Sequence, residues 1–81
     1  SELLAFDHAL AAGGVSDPRA HLATYVDINR VLWAAVERQE LTPNQVQARR
    51  FADLVAAAGL DADPTVLGEQ FVIGMGRFGD L

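Results

Sequence analysis

Four side chains in this sequence have the type and setting for chemistry, and they fall on two successive helical stretches. Tyr25, Asn29 and Trp33 belong to the first, Arg50 to the second. With 3.6 residues per turn, the first three share a face with Leu22, Val26, Leu32 and Val36, while Asp27, Arg30, Glu37 and Arg38 take the other. Asn29 is the anomaly, an amide near the centre of an apolar face. Burying it unpartnered costs roughly 1–3 kcal/mol, so it either ties down a neighbouring helix end or meets a ligand or second domain. Tyr25 and Trp33, at helical spacing, are either core residues or a platform that stacks on a planar ligand or anchors an interface. Arg50 borders a stripe of Phe51, Leu54, Val55 and Ala58. There it either pairs with Asp53 or Glu69 or offers its planar guanidinium to an anionic substrate. Arg49 points away from the stripe as a solvated charge.

Other chemistries find no footing. His8 and His21 lie on different helical stretches, near Asp7 and Asp17, without HExxH or any other spaced ligand set, so no metal site is expected. No carboxylate pair has the spacing of an acid/base dyad. Ser1 and Ser16 are the only serines, and neither sits in a nucleophile elbow. Gly13-Gly14-Val15-Ser16 resembles the glycine turn of a phosphopantetheine carrier, but Asp17-Pro18 follows the serine and reads as a plain helix start. A phosphate-cradling loop is excluded, because no strand precedes the glycines and no lysine follows them.

The elements that position these residues are helical. The first helix is expected at Glu2–Ala12, with Ser1 as N-cap and Gly13-Gly14 closing its C-terminus. Asp17-Pro18 opens a second and longest helix over residues 18–39, the aspartate capping and the proline in the first turn. Thr42-Pro43-Asn44-Gln45 is a capping box for a third helix that ends at Gly59. Asp63-Pro64 opens a fourth, running toward Gly74 and fraying through Gly76 and Gly79. Strand signals are missing, since period-two alternation never persists. The pattern predicts an all-α, up-and-down four-helix bundle, a single domain over residues 1–81 with both ends on one side, suited to insertion into another domain.

Composition bounds the function. Eighty-one residues make one domain of marginal size, burying somewhat over ~60% of its unfolded surface. There is no cysteine, hence no disulfide framework and no thiolate chemistry, which fits a reducing, cytoplasmic setting. A net charge of −5 argues against nucleic acid and anionic membranes as partners. No apolar run approaches a membrane span and no targeting segment is visible. The start at Ser1 rather than Met is what is expected of a chain trimmed, processed or excised from something longer.

The run Tyr25…Asn29…Leu32-Trp33, Glu37, Leu41-Thr42, Arg50-Phe51, Leu54 and Gly59-Leu60-Asp61, with Leu4-Ala5-Phe6 before it, resembles the helical cap of haloacid dehalogenase-like hydrolases. The likeness is closest to the noncanonical pyrimidine nucleotidase group and covers nearly the whole chain. It implies an insertion that closes over a Rossmann-like catalytic core, excludes water and selects the leaving group. In that family the core supplies the aspartate nucleophile, the acid/base aspartate, a Ser/Thr, a lysine and the carboxylates that hold Mg²⁺. This chain has no lysine, no Asp-x-Asp on an apolar strand and no Asp-Asp pair. It is therefore expected to be catalytically inactive alone, with no catalytic residue, no cofactor and no metal of its own. The resemblance implies substrate or core contacts at Asn29, Arg50, Trp33 and Tyr25, and a small phosphorylated substrate. Arg49, Asn44 and the glycine-rich C-terminal end depart from the pattern and leave nucleotides and other phosphomonoesters equally open. The alternative is a stand-alone helical interaction module that associates with itself or a partner through Trp33 or Phe71-Val72.

Overall fold

The computed structural model describes residues 2–78, which form an all-α four-helix bundle. Helix α1 spans Glu2–Ala12, α2 Leu22–Glu37, α3 Pro43–Ala58 and α4 Pro64–Phe78, with a 3-10 turn at Pro18–His21 before α2. The Ser1 cap and the Gly79 fray expected from the sequence lie outside the described residues.

Local signals account for most of the boundaries. Thr42 and Gln45 form the expected capping box: the Gln45 N–H donates to Thr42 Oγ1 at 3.3 Å and the Thr42 N–H to Gln45 Oε1 at 2.8 Å. Gly59 closes α3 in the left-handed region at φ 63°. Asp63 accepts from the Thr65 N–H at 2.9 Å, satisfying one free donor at the start of α4.

Three expectations need correction. Asp17 makes no side-chain capping bond, and the segment after it forms a 3-10 turn, so α2 proper begins at Leu22. Its other end comes at Glu37 because Gln39 turns left-handed at φ 62°, and the Glu40 N–H closes back onto the Ala35 carbonyl at 2.9 Å. Helix α4 continues through Gly74 and Gly76 to Phe78. Each glycine costs about 1 kcal/mol against alanine, but packing of the helix on α1 outweighs that local weakness.

α1 and α4 run antiparallel, with Ala5 against Gly74 and His8 bonded to Gln70 at 3.0 Å. This packing leaves the start of α1 and the end of α4 at the same end of the molecule. A Cβ built at Gly74 would lie 2.9 Å from Ala5 Cα and 3.1 Å from its Cβ, so only glycine allows the two backbones this approach. α2 and α3 form a second antiparallel pair, and the two pairs meet where Phe51 and Phe71 cross, ring centroids 5.4 Å apart. Ala5, Phe6, Ala9, Leu10, Tyr25, Phe51, Leu54, Leu67 and Phe71 make one continuous core.

α1 and α2 meet through Phe6 and Tyr25, 4.7 Å apart, rather than along their lengths. That opening turns α2. Its buried stripe is Tyr25, Leu32 and Ala35, with Leu22 and Ile28 partly covered, whereas Val26 (52% exposed) and Trp33 (39%) face outward. The apolar face expected on α2 is thus only half covered, because α1 is held on α4 rather than on α2.

Candidate functional site

Tyr25 stands at the centre of an aromatic cluster. Its ring lies 4.7 Å from Phe6, 5.6 Å from Phe51 in a stacked pose, and 6.2 Å from Phe71. Only 2% of the residue is exposed, and its hydroxyl makes no hydrogen bond of full geometry among the described residues. Burial pushes the phenol up to about 12; the Arg50 charge pulls it down and Glu2 raises it further. Glu2 acts on the hydroxyl first as a nearby charge and then, more weakly, as an acceptor.

Arg50 reaches the same cluster from α3. Its guanidinium carbon sits 4.5 Å over the Phe71 ring and 5.6 Å from Phe51, a cation–π arrangement. Its Nε is sealed without a partner among the described residues. Neither Asp53 nor Glu69 pairs with it: Asp53 is taken by Arg49, 3.5 Å away on the outer surface. The ion pair expected as one reading of Arg50 is therefore not formed among the described residues. Arg19, Arg30 and Arg38 do have carboxylate partners, Asp7, Asp27 and Glu40. Arg50, the more deeply placed guanidinium, has aromatic faces instead.

Asn29 lies one turn beyond Tyr25 on α2. It is half-buried, and its Oδ1 is sealed from solvent without a donor. Its Oδ1 makes no hydrogen bond to a helix end among the described residues. Trp33 follows one turn further on, outside the aromatic cluster and partly open to solvent. The structure therefore brings Tyr25 and Arg50 together around Phe51 and Phe71, sets Asn29 next along α2, and leaves Trp33 on the uncovered flank.

Clefts flank this cluster on two sides. One, of about 260 Å³, opens between α1 and α2 over Phe6, Tyr25 and Val26, with Glu2 at its rim. The other, of about 480 Å³, opens between α3 and α4 and includes Arg50. Sequence reasoning missed both, because each depends on how two helices splay. Among the described residues no three His, Asp or Glu side chains converge as metal ligands; Asp7 pairs with Arg19 and His8 with Gln70. No helix among them is long and apolar enough to cross a membrane.

No family model, curated protein or solved structure matches this chain.

Proposed function

We propose that this chain is the substrate-specificity cap of a haloacid dehalogenase-like phosphomonoester hydrolase. In this reading it works in a cytoplasmic enzyme, closes over a Rossmann-like core that binds Mg²⁺, and is inactive alone. The observation that carries the reading is unspent polar capacity beside an uncovered apolar flank. Among the described residues Tyr25 Oη and Asn29 Oδ1 are buried without hydrogen-bond partners, on the same helix as the partly exposed Val26 and Trp33. Buried polar groups are normally satisfied, so a partner that brings donors, acceptors and apolar surface to this flank explains both features at once. The shared end of α1 and α4 suits an insertion, since a core could hold both chain ends there. The chemistry itself would rest with the core, because transfer of a phosphoryl group needs a metal and positioned donors.

The test is to sequence the reading frame on both sides of this segment in the source gene and to assay the 81-residue chain for phosphatase activity with Mg²⁺. An apolar strand ending in Asp-x-Asp upstream, a lysine and paired aspartates downstream, and no turnover by the isolated chain would support the cap. Mutation-sensitive hydrolysis by the isolated chain would sink it. The second reading, a stand-alone interaction module, draws on the same exposed Val26 and Trp33. Flanking sequence without those motifs, together with self-association through this flank, would favour it.

A further inference from the structure

The groove between α3 and α4 is distinct from the α2 flank, and its lining is chemically specific. Gln47 and Arg50 come from α3, and Thr65, Gly68, Glu69 and Val72 from α4, around about 480 Å³ of space. The Arg50 guanidinium carbon lies 4.5 Å over the Phe71 ring and 5.6 Å from Phe51, and it has no carboxylate partner among the described residues. Its orientation is therefore set before any anion arrives, which lowers the ordering cost of binding one.

Gly68 supplies a separate clue. It lies within α4, where glycine costs about 1 kcal/mol against alanine. Its backbone is not in the left-handed region, and a Cβ added there would meet nothing within 4 Å. Neither conformation nor packing inside the chain requires glycine at this place. What its bare backbone does is keep the groove open beside Arg50. Glu69 adds an acceptor and Thr65 and Gln47 add hydroxyl and amide groups, so the lining can hold both ends of a small polar molecule.

We infer that the α3–α4 groove binds a small hydroxylated oxyanion. Arg50 takes the charged oxygens by charge-assisted hydrogen bonds, and Glu69 accepts from a hydroxyl of the same molecule. This site stands whether or not the chain closes over a phosphatase core. A phosphate ester and a carboxylate share the chemistry, and probes of each kind tell them apart.

The experiment is a two-dimensional NMR titration of the ¹⁵N-labelled full chain with glycerol phosphate, glycerate, inorganic phosphate and glycerol. At least one hydroxylated anion should produce saturable shifts at Thr65, Gly68, Val72 and the Arg50 side chain, while glycerol produces none. Inorganic phosphate, which offers Glu69 no carbon-borne hydroxyl, should bind more weakly than glycerol phosphate if the ester is the better of the two anions. Arg50→Gln should weaken binding about tenfold or more, the scale of a lost charged hydrogen bond. Gly68→Leu should fill the groove and abolish binding while keeping the fold, since leucine is the better helix former and a Cβ at this position meets no atom within 4 Å. If Arg50→Gln fails to fold, Gly68→Leu carries the test. Absence of saturable shifts with both hydroxylated anions overturns the inference, as do shifts spread over all the arginines. Undiminished binding by a folded Gly68→Leu overturns it as well.

Discussion

Along the α1–α4 seam, small and apolar groups interlock. Ala5 meets the backbone of Gly74, a Cβ at Gly13 would collide with Leu67 Cδ2, and Leu10 and Leu67 are fully buried. Across the molecule, α2 and α3 meet this pair through aromatic rings, and there Tyr25, Asn29 and Arg50 each keep a sealed polar atom without a partner among the described residues. The first region has used its interactions within the chain; the second has not. The fold's stability therefore concentrates in the seam. Substitutions in the seam should damage the fold, whereas removing polar groups around Tyr25 and Asn29 should leave it intact.

The largest expected effect is Leu10→Ala in the seam. It should cost about 2–5 kcal/mol by denaturant unfolding, because a closely interlocked seam collapses poorly around a cavity. A cost under about 1 kcal/mol would show that the seam relaxes and the contrast is weaker than drawn.

Next is the alkaline response of Tyr25. Its neutral form is favoured in the fold, so its contribution is complete below about pH 10 and is lost as pH rises from 10.0 toward about 12, roughly 2–3 kcal/mol in all. The chain has one tyrosine and neither lysine nor cysteine, leaving no other side chain of ordinary pKa to confuse that window. Unfolding of the parent and of Tyr25→Phe, compared at about pH 9 and about pH 11.5, should show an alkaline loss in the parent alone. At the lower pH, Tyr25→Phe should match or exceed the parent, since it deletes an unpaired hydroxyl. An equal alkaline loss in both chains would place the cause elsewhere.

Gly74→Ala should cost about 1–3 kcal/mol through overpacking, because the atom it meets is backbone that cannot swing away. A neutral result would mean that α1 and α4 separate freely. Thr42→Ala should cost about 0.5–2 kcal/mol by loss of the α3 cap. A gain in helicity or stability would show that α3 starts elsewhere.

The smallest expected effect sharpens the contrast most. Asn29→Leu should leave the melting temperature level or raised, because no hydrogen bond is lost with the sealed Oδ1. A large drop would mean that Asn29 belongs to a structural network and that the two regions are built alike.

Much of this architecture was legible in the residues. The capping box at Thr42 and Gln45, the glycine stop at Gly59 and the aspartate at Asp63 are chemical devices contained within a few positions, so sequence specified them. Asn29 could also be singled out as an anomaly, because an amide on an apolar face is conspicuous in any arrangement, although whether it finds a partner could not be read from sequence. Other features depended on distant segments. That α4 survives two late glycines follows from its docking on Ala5, and that Arg50 stacks on Phe71 instead of pairing with Asp53 follows from α4 crossing α3. Which half of the α2 apolar face is buried is likewise a choice made by α1, which lies against α4 and leaves Val26 and Trp33 uncovered. The Thr42–Gln45 box, the Gly59 stop and the Asp63 cap close within one helical turn, so sequence alone determined them, whereas Asp17 makes no cap bond despite the same local signal. Burial and pairing require elements far apart in the chain to meet, and only the tertiary structure decided those.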